Sequence, residues 1–356
     1  VGSVASDFML YGCTGYVGQA VAQLAVEQGL RPMLAGRNAV NVRSQALELG
    51  LEARPLEVDA REALDSALED VPVVLNLAGP YVYTSKPIVE SCLRSGTHYL
   101  DITGEPPVYE AISHHDDEAK SKGVMLLPSV GFDLVPTDCL AAHLKQRLPT
   151  ATHLTLAFHA QGPSRVPPGT LNTMVEMLRY GSNKQRRSNG EIENASGPRK
   201  TRMIDFGKGP VKASMLTWGD IYMAYRSTGI PNIEDYAVLP PGSVLQMDRV
   251  DRIRPLFKLA AIRNAAKKTM HGGATAEERA KSSVSVWGEV VDDQGHLAVS
   301  RLQGPEGGLV WTSRSALAAV KRVLAGDLKP GFQTPSLAFG SDFALECEGV
   351  TREDVA

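Results

Sequence analysis

The chain has 356 residues, more than one compact core usually holds, so two domains are expected. Hydrophobic residues at 43% and charged residues at 22% exclude a disordered or fibrous chain. A net charge of −3, from 37 basic and 40 acidic residues, argues against a protein that wraps nucleic acid, and no stretch approaches the roughly 20 apolar residues that span a bilayer. Phe8-Met9-Leu10-Tyr11 is an apolar run that breaks at Gly12, and residues 17–28 follow with helical spacing of Val17, Val21, Leu24 and Ala25. A second run at 32–35 precedes a helix expected over 40–49. Leu56-Glu57-Val58 reads as the third strand, ending at Asp59, with a helix over 61–68. Val73 to Leu77, β-branched and bounded by Pro72 and Gly79, is the clearest strand of all. Helix, strand, helix and strand are then expected at 86–94, 98–101, 107–121 and 124–127. Near-continuous apolar strands alternating with helices mean a parallel sheet covered on both faces, a Rossmann-type doubly wound α/β domain.

Beyond Gly131 the rhythm changes. Residues 136–147 read as a helix with Pro in its first turn. Residues 152–159 and 284–291 alternate like half-buried antiparallel strands, and 296–303 pairs with the latter across Asp292-Asp293-Gln294-Gly295. An amphipathic helix follows over 313–325. The expected organisation is a nucleotide-binding domain at 1–131 and a second, α+β domain at 132–329 closing over the first domain's cofactor end. A C-terminal segment at 330–356 could return to the first domain. Two stretches are locally basic. Residues 179–212 read as a solvated loop. Residues 249–268 carry seven basic residues against Asp251, around Leu256, Phe257, Leu259, Ala260 and Ile262. The second is either a surface helix or a basic amphipathic helix, at 254–268, that makes peripheral contact with an anionic membrane or lines an acyl site.

Four widely spaced cysteines with no C-x-x-C pair argue against a zinc site or disulfide framework and fit a reducing, cytoplasmic setting. The first residue is Val, so the leading residues read as a processing remnant; no signal peptide is visible, and one already removed would not be.

The loop between the first strand and helix, Gly12-Cys13-Thr14-Gly15-Tyr16-Val17-Gly18, carries glycines at three-residue intervals. Gly12 permits the tight turn, Gly15 lets backbone N–H groups approach a pyrophosphate, Gly18 lets helix pack on strand, and the helix N-terminus supplies partial positive charge. At the end of the second strand, where a carboxylate would accept NAD's ribose hydroxyls, stand Gly36-Arg37-Asn38. Arg37 can pair bidentately with a 2′-phosphate and Asn38 can donate to it, so the expected cofactor is NADP(H). Asp59 could accept the adenine amino group, or cap the following helix. Asn76, Ala78, Gly79, Pro80 and Tyr81 end the fourth strand and should approach the nicotinamide half, with a simple Gly79-Pro80 turn as the competing account.

These motifs, with Tyr99-Leu100-Asp101-Ile102-Thr103-Gly104-Glu105 and Gly131-Phe132-Asp133 through Pro136-Thr137-Asp138, resemble the saccharopine dehydrogenase-like oxidoreductases, and more narrowly the branch that includes trans-acting enoyl reductases. Gly169-Thr170 with Asn172, the run from Ser227 to Asn232, and Pro330-Gly331 with Thr334-Pro335 extend the likeness along the chain, less specifically beyond Gly181. The resemblance implies hydride transfer with NADP(H) and leaves the substrate open.

Hydride addition to a polarised double bond needs a proton donor. Candidates are Tyr81, Tyr99, Asp101, Thr103, Glu105 and Asp133. Tyr81, Asp101 and Asp133 are taken as catalytic, against the competing account that Asp101, Thr103 and Asp133 are caps and Asx-turns. His114-His115-Asp116-Asp117 points to different sides of a helix and reads as surface, so no metal is expected. The expected function is an NADPH-dependent reductase of a C=C or C=N bond in a small hydrophobic or acyl substrate. The alternatives are a non-catalytic NADP-binding sensor or scaffold, and a saccharopine-type imine dehydrogenase using Arg165, Arg179 and Arg226. The sequence leaves the oligomeric state open, a homodimer being compatible with it.

Overall fold

In the computed structural model, described over residues 6–163, 165–269 and 272–356, the chain opens on a strict alternation. The processing remnant expected at residues 1–5 lies outside the described residues. β1 (Phe8–Tyr11), α1 (Tyr16–Glu27), β2 (Pro32–Gly36), α2 (Ala39–Leu49), β3 (Ala53–Pro55), α3 (Arg61–Leu68), β4 (Val73–Asn76), α4 (Tyr81–Ser95) and β5 (His98–Asp101) follow one another, then α5 (Pro106–Ser113), α6 (Asp116–Ser121) and β6 (Met125–Leu127). Next come α7 (Val135–Arg147), β7 (His153–Gln161), α8 (Pro168–Met177), β8 (Gln185–Ser188), β9 (Glu191–Asn194), β10 (Thr201–Asp205) and β11 (Pro210–Leu216). They lead to α9 (Asp220–Thr228), β12 (Asn232–Ala237), α10 (Ser243–Ile253), a 3-10 turn over Arg254–Lys258, α11 (Ala260–Thr269) and α12 (Ala276–Ala280). A long hairpin, β13 (Ser283–Val291) and β14 (Leu297–Pro305), precedes α13 (Thr312–Leu324), β15 (Gly331–Phe332), α14 (Pro335–Phe339) and β16 (Thr351–Asp354).

The chain divides into two compact units, residues 1–133 with 311–339, and 134–310 with 340–356. The first holds a parallel sheet in the order β15-β6-β5-β4-β1-β2-β3, so the strand order reverses between β1 and β4. β1 and β4 are buried along their whole length, because helices cover both faces: α1 and α13 pack together on one, α4 lies beside α3 and α5 on the other. Ligands of such sheets collect where the strand order reverses, at the strands' carboxyl ends.

Four expectations are corrected here. The third strand is Ala53–Pro55, not 56–58: β2 sets its register, Leu34 opposite Ala53 and Gly36 opposite Pro55, and after one further bond from Leu56 N–H to the Gly36 carbonyl the chain turns away. α4 starts five residues before 86, because its first N–H groups, on Tyr81 and Val82, are capped by the carboxylate of Glu105 at 2.8 Å each, a partner no local pattern reveals. The helix expected over 107–121 is two, α5 and α6, broken at His114-His115. Finally, α13 belongs to the first unit and not to a domain running to 329: its apolar stripe, including Leu317, Val320 and Val323, packs on α1, β4 and β5. The C-terminal segment divides. β15 pairs with β6, with Asp116 accepting the Phe332 N–H at 2.8 Å, whereas β16 pairs with β14 in the second unit.

The second unit is a mixed sheet ordered β10-β11-β12-β7-β13-β14-β16, with the β8–β9 hairpin attached to β12. α7 lies on one face against β7, β13 and β14. Gly288 of β13 makes that contact possible, since a Cβ there would stand 2.6 Å from Leu144 and 3.1 Å from Leu140 of α7. On the other face Ala157, Ile204, Phe206, Met215, Tyr236 and Trp287 form a core. β10 curls back over it: the Phe206 carbonyl accepts from Gln303 of β14, and Arg202 bridges to Glu289 of β13. The basic stretch 179–212 is therefore no loop. Asn189 and Gly190, both at positive φ, make the tight β8–β9 turn, and Arg186, Arg199, Lys200 and Arg202 each pair with a carboxylate.

Candidate functional site

The glycine loop sits at the carboxyl end of β1, and its three glycines differ in what surrounds them. Gly12, at φ +84, lies against β4's exit, where a Cβ would come within 2.8 Å of the Ala78 nitrogen. Gly18 faces inward, and a Cβ there would meet the Gly12 carbonyl at 2.2 Å. Gly15 is exposed, with only the Gly12 carbonyl, at 3.3 Å, near a Cβ position. It is also the N-cap residue of α1, which has no side-chain cap and no acidic residue in its first turn. Thr14, Tyr16 and Val17 line this half-open turn. A helix N-terminus with no side-chain cap and no side chain filling the space in front of it is what a pyrophosphate requires. The loop's residues fit a dinucleotide.

One strand over, Arg37 follows β2 directly, exposed and in no ion pair among the described residues. Asn38 is the N-cap of α2, its Oδ1 accepting the Asn41 N–H at 3.1 Å, so the cap occupies its oxygen and leaves its amide N–H₂ for a ligand. Asp59 lies exposed in the turn before α3, whose N-cap residue is Ala60 with no side-chain cap; Asp59 is thus neither at a strand end nor capping that helix. The Tyr11 hydroxyl donates to the Leu56 carbonyl beneath these groups. Burial and the charges of Glu57 and Asp59 push it up to about 12, against the opposing pull of Arg37.

The end of β4 and β5 is built differently, as a buried polar network. Asn76 Oδ1 accepts the Ala78 N–H at 3.0 Å, and its Nδ2 donates to Thr84 and to the Tyr99 hydroxyl. Tyr99 donates on to Asp101 Oδ2 at 2.8 Å, while Asp101 Oδ1 accepts the N–H groups of Thr103 and Ser129, each at 2.9 Å. Ser129 holds a left-handed φ of +63, and Tyr109 ties its hydroxyl to the Thr103 carbonyl. Asp101 is fully buried and occupied on both oxygens, an anchor for the loops after β5 and β6. Burial raises it to about 6 against those three donors.

Tyr81 follows the Gly79-Pro80 turn, buried at the start of α4. Burial, then the charges of Asp101, Glu105 and Asp133, hold its hydroxyl well above the usual tyrosine range. Asp133 ends the first unit's main stretch, with a carboxylate oxygen 2.9 Å from where a Gly104 Cβ would be, and burial raises it to about 6. The fold thus brings Tyr81, Asp101 and Asp133 to one place, while Glu105, considered for chemistry from the sequence, holds the helix that carries Tyr81. The cluster can keep a phenol protonated beside a carboxyl group that titrates near neutrality.

Of the arginines considered for a multiply carboxylated substrate, Arg165 pairs with Glu278 and Arg179 with Glu176. Among the described residues no group of three or more His, Cys, Asp or Glu is arranged to hold a metal, and no helix is long and apolar enough to cross a membrane.

Residues 8–127 match the family model for the saccharopine dehydrogenase NADP binding domain. The chain is 37% identical over 150 residues to a trans-acting enoyl reductase of Mycobacterium leprae, and 28% identical over 178 residues to a human saccharopine dehydrogenase-like oxidoreductase. These matches cover 40% and 44% of the chain but only 36% and 41% of those proteins. In fold, the chain is similar to apo saccharopine dehydrogenase (L-Glu forming) from Saccharomyces cerevisiae, with a TM-score of 0.65 over 99% of this chain and 100% of that one at 15% identity. The glycine loop and the family match lie on the same sheet: residues 8–127 resemble the saccharopine dehydrogenase NADP binding domain, and the first part of the chain is similar to saccharopine dehydrogenase-like oxidoreductases.

Proposed function

We propose that this protein is an NADPH-dependent reductase that adds hydride to a C=C or C=N bond of a hydrophobic or acyl substrate, as the name of its mycobacterial relative suggests. The observation that carries the reading is buried Tyr81 at the start of α4, close enough to Asp133 to feel its charge, at the same carboxyl end of the sheet as the open glycine loop. In this reading the α1 N-terminus and the backbone around Gly15 bind the pyrophosphate, and Arg37 with the Asn38 amide selects the 2′-phosphate. When bound, the nicotinamide supplies the hydride. The protein's part is then the proton. Tyr81 holds one on its hydroxyl through neutral pH, and Asp133 takes up and releases one near pH 6, so the pair suits delivery to the atom that becomes electron-rich. The pairing of Arg165 and Arg179 with protein carboxylates favours an apolar or acyl substrate over a multiply carboxylated imine.

The test is loss of the nicotinamide absorbance with purified protein, NADPH or NADH, and panels of enoyl thioesters, enones and imines. Turnover of an enoyl or enone substrate with NADPH, lost in Tyr81→Phe, is the expected result. Cofactor binding without turnover of any panel member would leave a sensor instead, and equal use of NADH would remove the role given to Arg37.

A further inference from the structure

The segment from α10 to α11 carries an unusual division of charge and apolar surface. α10 has no buried residue, nor has the 3-10 turn after it, and α11 buries only Arg263. Four large apolar side chains stand half exposed or more: Leu245 at 55%, Ile253 at 50%, Leu256 at 51% and Leu259 at 59%. Scattered single residues of this kind are ordinary; four within fifteen positions are not.

The charges are sorted. The acids turn inward: Asp248 pairs with the buried Arg199, and Asp251 accepts from Ser182 at 2.7 Å. Two of the bases turn inward too, Arg263 and Lys267 both pairing with the buried Glu176 of α8 and so holding α11 in place. Lys267, one of the seven basic residues of the 249–268 stretch, belongs to this anchor. Arg249, Arg252, Lys258 and Lys268 remain exposed and in no ion pair among the described residues. On α10, Leu245, Arg249 and Arg252 fall at i, i+4 and i+7, on one face, and Ile253 borders it. The outward surface is therefore leucine and isoleucine rimmed by cations, in a chain whose net charge is −3.

From this arrangement we propose that the α10–α11 face docks the protein on an anionic membrane surface. Leu245, Ile253, Leu256 and Leu259 enter the headgroup boundary, and Arg249, Arg252, Lys258 and Lys268 meet the phosphates around them. An apolar patch alone would suit a second copy of the chain equally well. A second copy would bring the same four cations against these four, whereas anionic lipid supplies the complementary charge and an apolar layer for the leucines.

The full chain is centrifuged with phosphatidylcholine vesicles made with and without phosphatidylserine, at low salt and at salt high enough to screen the charges. Binding is expected only with phosphatidylserine, weakening with salt. Leu256→Glu with Leu259→Glu should abolish it, and Arg249→Glu with Arg252→Glu should weaken it more than about tenfold. These side chains are exposed, so unfolding midpoints should not move, and Leu245→Gln gives a milder check on the same face. No sedimentation with anionic vesicles overturns the proposal. Binding that survives Leu256→Glu with Leu259→Glu also overturns it, since attraction would then be charge alone. So does a dimer in solution that the same pair dissociates while vesicle binding is absent, which would assign the face to a second copy.

Discussion

One sheet edge in the first unit carries two chemistries. At the ends of β1 and β2 the candidate residues Gly15 and Arg37 are exposed, as is Asp59 in the turn before α3, and the turn at Gly15 is open. At the ends of β4 and β5, Tyr81 and Asp101 are buried, Asp101 within a hydrogen-bonded network, and both are shifted in acidity along with Asp133. Exposed groups meet a ligand by geometry and charge at little cost to the fold. Buried ones are tied to stability, because each unpaired polar atom there is expensive. Substitutions at the first end should therefore change binding and spare the fold, and those at the second should do the reverse or do both.

The largest effect is expected at Asp101. Asp101→Ala leaves the Tyr99 hydroxyl and the Thr103 and Ser129 N–H groups without their acceptor, and should cost about 4 kcal/mol in urea unfolding. Asp59→Ala, exposed, should stay within about 0.5 kcal/mol. A loss below about 1 kcal/mol for Asp101→Ala would mean that the network is no anchor.

Arg37→Asp comes next. It replaces a charge-assisted pair with a repulsion, so NADPH binding should weaken by about 3 kcal/mol in titration calorimetry while NADH and the unfolding midpoint hardly change.

Two of the loop's glycines sharpen the contrast within a single loop. Gly18→Ala puts a Cβ about where the Gly12 carbonyl already is and should destabilise the fold by about 2 kcal/mol or more. Gly15→Val should leave the midpoint nearly unchanged and abolish dinucleotide binding. If both lost stability alike, the open turn at Gly15 would be packing and not a cradle.

The last effect is a slope. Asp101 and Asp133 titrate near 6 in the fold against an ordinary 3.8, so the native state holds protons that the unfolded chain has released. The stability this contributes is complete below about pH 4 and is lost as pH rises through about 6, at up to about 1.4 kcal/mol per pH unit for each group. Carboxylates held low, such as Asp292 at about 2 beside His296, act in the opposite sense at lower pH. Asp133→Asn should flatten the descent between pH 4 and 6 in denaturant titrations, and an unchanged slope would place Asp133 in water.

Much of the first sheet was legible because its cues are local. The glycine spacing marks the first turn, and β-branched runs such as Val73-Val74 mark buried strands. In the second unit the hairpin β13–β14 announced itself by alternation, and the Asn189-Gly190 pair, overlooked in the basic stretch, is a turn signal that could have been read.

Local pattern determined the nucleotide-binding sheet, the open glycine turn and the position of Arg37, because each depends on residues a few positions apart. Tertiary structure alone decided that Glu105 caps α4 from 24 residues away, that α13 covers the first sheet, and that Asp248, Asp251 and Lys267 face inward while their neighbours face out. A side chain's role in those places is set by what packs against it, and an amphipathic pattern says that a face will be buried without saying by what.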